Sequence, residues 1–232
     1  MPVFQLPNEI LFPDPTHTEP DGLLAVGGDL RPERLLAAYA NGIFPWYSEN
    51  EPILWWSPDP RLVLFPQKFK VSHSLYQKIK KNVFSVRMDS NFEQVISACA
   101  ETERKHEDGT WITEEMKAAY IKLHCDGFAH SVESYFNGKL VGGLYGVSLG
   151  KAFFGESMFH MMTDASKVSL YYLVEKAKEF EFLFIDSQVE TEHLVSLGAE
   201  LIPRKKYLKL LKEAMQFPSQ MAKWQNRKMA KW

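Results

Sequence analysis

Residues 183 to 190 read LFIDSQVE, an apolar run broken by Asp186 and, two places on, by Gln188. Side chains alternate along a strand, so positions i and i+2 share a face and these two polar groups are expected as neighbours. Burying them unpaired would cost several kcal/mol, so either structural partners or a ligand must meet them. A third polar break, Glu156, stands in FFGESMF between small and aromatic neighbours. If the two strands are adjacent, Glu156, Asp186 and Gln188 converge on one apolar cleft, the usual form of a small-ligand site. Hydrogen bonding to loops accounts equally well for any one of them alone. A glutamine amide is not a strong base, because its oxygen only accepts and its nitrogen only donates. It can hold an amine in place, and an aspartate receiving its N–H groups would fix its oxygen toward the cleft. An α-amine with a reference pKa of about 8 is already partly neutral at pH 7. Aminolysis of an activated ester is therefore within reach of such a set.

The elements that must carry these residues follow from the surrounding pattern. AHSVESYF, then Asn137-Gly138, then KLVGGLYGVSL predicts a tight hairpin, since Asn-Gly supplies the positive φ angles of a two-residue turn. A second turn at Gly150 leads into KAFFGESMF, giving three antiparallel strands in succession. Asp164 then starts the helix ASKVSLYYLVEKAKEF, followed by the strand FLFIDSQ, the helix EHLVSLGA and the strand-like ELIP. The order β-β-β-α-β-α, with the late strand beside the meander, predicts a mixed sheet flanked by helices. Upstream, RLVLF reads as a strand, and SHSLYQKIKK, NFEQVISACAE and TEEMKAAYIKLHCDG as helices. The first 60 residues are punctuated by Pro and Gly around one helix, capped by Asp29, striped by Leu35, Leu36 and Tyr39, and ended by Gly42. They predict a small, irregular N-terminal domain over 1–60, with a larger domain over 61–232.

Charge is unevenly placed along the 232 residues. The formal net charge is −2, yet residues 1–60 hold two Arg against nine acids, and the remainder 25 basic against 20 acidic residues. KFKVSHSLYQKIKK carries Lys68, Lys70, Lys78, Lys80 and Lys81 with no acid, and residues 203–232 carry nine basic residues against Glu213 alone. Solvated lysine faces and an RNA backbone both account for these runs. Trp46, Trp55, Trp56 and Trp111 stand beside Pro or Gly rather than in regular stripes, which suits core packing or stacking on a nucleobase. Cys99 and Cys125 are expected as buried small apolar residues, and the histidines show no pair at metal-ligand spacing. The absence of a long apolar run and of a secretory pattern predicts a soluble, cytoplasmic protein without membrane contact.

GGDL, GIFPW, ILWWSPDPR, GTWIT, AHSVE, GGLYGV, GESMF, ASK, DSQ, SLGA and IPR, in this order and spacing, resemble the bacterial leucyl/phenylalanyl-tRNA–protein transferases from about residue 22 to 207. The resemblance implies an α+β protein, a small N-terminal domain joined to a C-terminal domain with an acyl-CoA N-acyltransferase (GNAT)-like mixed sheet. It implies transfer of Leu or Phe, and less readily Met, from aminoacyl-tRNA to proteins beginning with Arg or Lys, which marks them for degradation. By the same resemblance Asp186 orients Gln188, Gln188 receives or positions the attacking amine, and Glu156 is a polar site residue suited to a cationic acceptor. Trp46 and Trp111 match positions that hold the 3′-terminal adenosine. Leu144, Phe153, Met158, Leu170, Leu173, Ala177 and Ile185 would form the pocket for the aminoacyl side chain. Neither metal nor cofactor is implied, because the ester already carries the activation, and a monomer is expected. An acyl-CoA-dependent acetyltransferase would share the fold, but the sequence has no Arg/Gln-x-x-Gly-x-Gly/Ala stretch to cradle a pyrophosphate. A non-catalytic RNA-binding protein accounts for the lysines and tryptophans but leaves Asp186 and Gln188 unexplained.

Overall fold

The computed structural model describes residues 3–102, 111–219 and 224. In chain order it contains β1 (Phe4–Leu6), β2 (Leu23–Gly27), α1 (Pro32–Ala40), β3 (Phe44–Pro45), β4 (Leu54–Trp56), β5 (Arg61–Leu64), α2 (His73–Lys80), β6 (Ser85–Met88) and α3 (Phe92–Glu101). There follow α4 (Glu114–Cys125), β7 (Ala129–Phe136), β8 (Lys139–Leu149), β9 (Ala152–His160), α5 (Ala165–Glu179), β10 (Phe184–Gln188), α6 (Glu192–Ser196), β11 (Glu200–Ile202) and α7 (Arg204–Ala214).

Two mixed sheets result. The smaller has the order β1-β2-β4-β3, with β1 parallel to β2. Its strands are too short to show a period-two pattern, which is why the sequence reads as irregular there. The larger has the order β11-β5-β10-β9-β8-β7-β6. The meander β7-β8-β9 forms as expected, Asn137 and Gly138 turning at φ 48° and 78°. β10 lies beside β9 as a parallel neighbour, while the other pairs of this sheet are antiparallel.

Helices cover both faces. On one, Leu35 and Tyr39 of α1, Val95 and Ile96 of α3, Met116 and Tyr120 of α4 and Leu211 of α7 pack against Phe154 and Phe184 of the large sheet. On the other, Leu170, Leu173 and Val174 of α5 pack against Leu64, Phe153 and Ile185. The first cluster also takes in Leu24 and Trp55 of the small sheet, so one apolar core runs through both sheets.

Several local expectations are corrected. Asp29 does not cap α1: its Oδ1 accepts the Arg31 N–H at 3.0 Å, and its carboxylate pairs with Arg31 and Arg34, so the helix begins later at Pro32. Cys99 is buried, but Cys125, at the last turn of α4, is exposed. β6 and α7 have no counterpart among the expected elements; the lysines of α7 mask its stripe of Tyr207, Leu211 and Ala214, so the sequence shows only a basic run there. The basic tail at 220–223 and 225–232, and Gly109 and Thr110 of GTWIT, lie outside the described residues. Among the described residues no helix is long and apolar enough to cross a membrane.

Candidate active site

β9 and β10 pair from Phe184↔Ala152 to Asp186↔Phe154 and then separate. A cavity of about 340 Å³ opens beyond that point, walled by Leu144, Phe153, Met158, Leu170, Leu173 and Ile185. Trp46 and Trp111 stand at the same cavity, and Glu156 and Gln188 supply polar groups to it. Every expected pocket residue is brought together except Ala177, which is fully buried behind the wall because its turn of α5 faces the core.

Two irregularities aim the polar groups. In β9, Gly155 pairs with Gly146 and Ser157 with Tyr145, which leaves Glu156 as the extra residue of a bulge. Gly146 makes the bulge possible, since a Cβ there would lie 2.1 Å from the Phe154 carbonyl oxygen. The Tyr39 hydroxyl donates to Glu156 Oε1 at 2.8 Å and that of Tyr120 to Oε2 at 2.9 Å, and the two hydroxyls also contact each other. Gln188 Nε2 donates to Oε1 at 3.1 Å. Burial pushes the Glu156 carboxyl up to about 7, overcoming the lowering by the two tyrosine donors. Near neutrality it therefore exists both as acid and as carboxylate.

The second irregularity is a bulge at Ser187. Asp186 is opposite Val63 and Gln188 opposite Leu62, adjacent residues of β5 that enter different apolar clusters. Gln188 itself has φ 56°, in the left-handed region. Asp186 and Gln188 thus do not share a face, because the extra residue cancels the two-residue alternation. Asp186 instead receives Arg61 Nε at 2.9 Å, Arg61 Nη2 at 2.8 Å and the Tyr207 hydroxyl at 2.7 Å, all inside the core. It also accepts the Gln188 backbone N–H at 3.0 Å. Asp186 is tied to Gln188 through the main chain, and the side-chain amide expected to reach it turns to Glu156.

Tyr39, Tyr120, Arg61 and Tyr207 join the site without standing out in the sequence as site residues. In the sequence Tyr39 and Tyr120 fall within expected helices, and Tyr207 lies in the basic run. Arg61 carried a usable signal, since a lone cation opening the buried strand RLVL requires a carboxylate partner. Of the five lysines, Lys68 pairs with Glu200 at 2.9 Å and Lys78 with Asp164 at 2.5 Å, whereas Lys70, Lys80 and Lys81 are exposed. None of the five lines the cavity.

The leucyl/phenylalanyl-tRNA protein transferase family profile matches residues 63–212, and the profile for the N-terminal domain of the same family matches residues 28–59. The leucyl/phenylalanyl-tRNA–protein transferase of Thermodesulfovibrio yellowstonii is 55% identical over 97% of this chain and 91% of its own length. That of Desulfatibacillum aliphaticivorans is 54% identical over 97% of this chain and 96% of its own. A solved ribosomal-protein-alanine N-acetyltransferase from Brucella melitensis biovar Abortus 2308 aligns over 43% of this chain and 75% of its own at 16% identity, with a TM-score of 0.32, too slight a likeness to fix the fold. With matching profiles over both parts and more than half of its residues shared with such relatives, the chain belongs to the leucyl/phenylalanyl-tRNA protein transferase family of aminoacyltransferases.

Proposed function

We propose that this chain transfers Leu or Phe, and less readily Met, from aminoacyl-tRNA to the N-terminal α-amine of proteins beginning with Arg or Lys, marking them for N-degron-dependent degradation in the cytoplasm. The observation that carries this reading is an apolar cavity with a hydrogen-bonded Glu156–Gln188 pair at its polar edge. The aminoacyl side chain occupies the apolar part, and Trp46 and Trp111 hold the terminal adenosine. Lys70, Lys80 and Lys81, with the ion-paired Lys68 and Lys78, follow the tRNA backbone.

In the reaction the acceptor amine nitrogen attacks the ester carbonyl carbon, a C–N bond forms and the bond to the ribose oxygen breaks. The amine loses one proton and the leaving ribose oxygen gains one, so no co-reactant is required. Gln188 Oε1 can accept from the amine while its nitrogen is held by Glu156, which fixes which end of the amide faces the acceptor. Glu156 as carboxylate suits a cationic acceptor and can take the amine's proton, with Tyr39 and Tyr120 holding both its oxygens. Asp186, fixed by Arg61 and Tyr207, keeps the Gln188 main chain in its left-handed turn.

We read the large sheet, with its parallel β9 and β10 parting at the site, as GNAT-like, carried by a domain over 61–232 beside a smaller one over 1–60, in a monomer. Radiolabelled Leu or Phe on tRNA, offered to peptides beginning with Lys, Arg or Ala, tests the function. Label should enter the Lys and Arg peptides and not their N-acetylated forms. Equal labelling of the Ala peptide defeats the acceptor specificity, and labelling of none defeats the reaction.

A further inference from the structure

Trp224 belongs to a strongly basic stretch of sequence, yet it is only 3% exposed. Its ring lies parallel to that of His130 at 4.2 Å between centroids, and it meets Phe153 at 5.5 Å and Phe180 at 5.7 Å. Its backbone N–H donates to Asp89 Oδ2 at 2.6 Å, and the same oxygen takes the His130 Nδ1–H at 2.9 Å. One buried carboxylate therefore anchors both members of the stack. Trp224 shares its apolar cluster with Leu144, Phe153, Leu170, Leu173 and Ile185, five walls of the cavity, without lining the cavity itself. Phe153 touches both.

We propose that Trp224 is a positioning residue that braces Phe153 from behind and so sets the size of aminoacyl side chain the cavity takes. This rests on the reading of the cavity as the aminoacyl pocket. A close-packed interior transmits such a change: loss of the indole leaves space that the surroundings fill only in part, and Phe153 is the pocket wall able to retreat into it. The enlarged pocket grips Leu less well and accommodates Phe better, because an apolar pocket discriminates donors by how well its volume is filled.

Single-turnover transfer from Leu-tRNA and Phe-tRNA to an Arg-initiated peptide should be measured for the full chain, for Trp224→Ala, for Trp224→Phe and for a chain lacking residues 220–232, with melting temperature followed on each. Trp224→Ala and the truncated chain should raise the Phe-to-Leu ratio of kcat/KM about threefold or more, a modest part of what one methylene can contribute in an apolar pocket. Trp224→Phe should return the ratio toward that of the full chain. An unchanged ratio in an active Trp224→Ala or truncated chain overturns the proposal. So does an equal loss for both donors alongside a lower melting temperature, which makes Trp224 a prop for the fold only. Should Trp224→Ala not fold, Trp224→Leu, which removes only part of the indole, takes its place and should raise the same ratio. A full chain that transfers neither donor overturns the pocket reading itself, and the brace with it.

Discussion

Glu156 joins the acid–base behaviour of the site to that of the fold. Its carboxyl is raised by burial from 4.5 to about 7. Between those values the folded chain holds a proton that the unfolded chain has released, so the Glu156 contribution to stability is full below 4.5 and is lost as pH rises through about 7. In the proposed reaction activity runs the opposite way, since only the carboxylate can take a proton from the amine. For Glu156→Gln the decline of melting temperature between pH 5 and 7 should be shallower, though not absent, because burial also raises Glu133, to about 6. The rise of kcat/KM through about pH 7 should disappear from the same variant, leaving the rise near about pH 8 that belongs to the α-amine. Identical pH profiles for the two chains would take Glu156 out of proton transfer. The identity of the three polar residues was legible in the sequence because each interrupts an apolar run. Their pairing was not, since the bulges at Glu156 and Ser187 have no local signature that alternation can detect.

At the scale of elements, β10 joins two unlike environments two residues apart. Asp186 closes a buried clamp with Arg61 and Tyr207, and Gln188 opens onto the cavity. Removing one partner of such a clamp leaves the other charge buried and alone, at a cost of about 3–5 kcal/mol. Asp186→Ala should therefore lower melting temperature sharply as well as turnover. Gln188→Ala should slow single-turnover transfer about 100-fold while melting nearly as the parent chain does. Paired melting and rate measurements on both variants separate these outcomes, and an Asp186→Ala chain of parental stability would remove the clamp from the account. The meander and the strand after α5 were legible because long runs and an Asn-Gly turn mark them plainly. The strands of the small sheet, two to five residues long, were not, because so few residues cannot establish a period.

Over the whole molecule, charge is divided between an acidic first quarter and a basic remainder. The lysine run is split by local pairing: Lys68 and Lys78 have carboxylate partners, which blunts their pull on an anionic backbone, while Lys70, Lys80 and Lys81 stand exposed. Replacing those three with Ala should weaken aminoacyl-tRNA binding and flatten its dependence on salt by about 2–3 in log–log slope. An unaltered slope assigns them to ordinary solvation. This division of the run could not be read from the sequence, since Asp164 and Glu200 lie 86 and 132 positions away from their lysines. The hydrogen-bond partners of Glu156 are equally dispersed, at Tyr39, Tyr120 and Gln188. A growing polypeptide emerges from its N-terminus onward, and the amide that completes this set is made after four-fifths of the chain. The hydroxyls wait for the strand that brings it. If Glu156 and Gln188 act as proposed, the centre is not assembled until that strand has left the ribosome and found its place beside β9, so the order of synthesis itself delays activity on any neighbouring N-terminus.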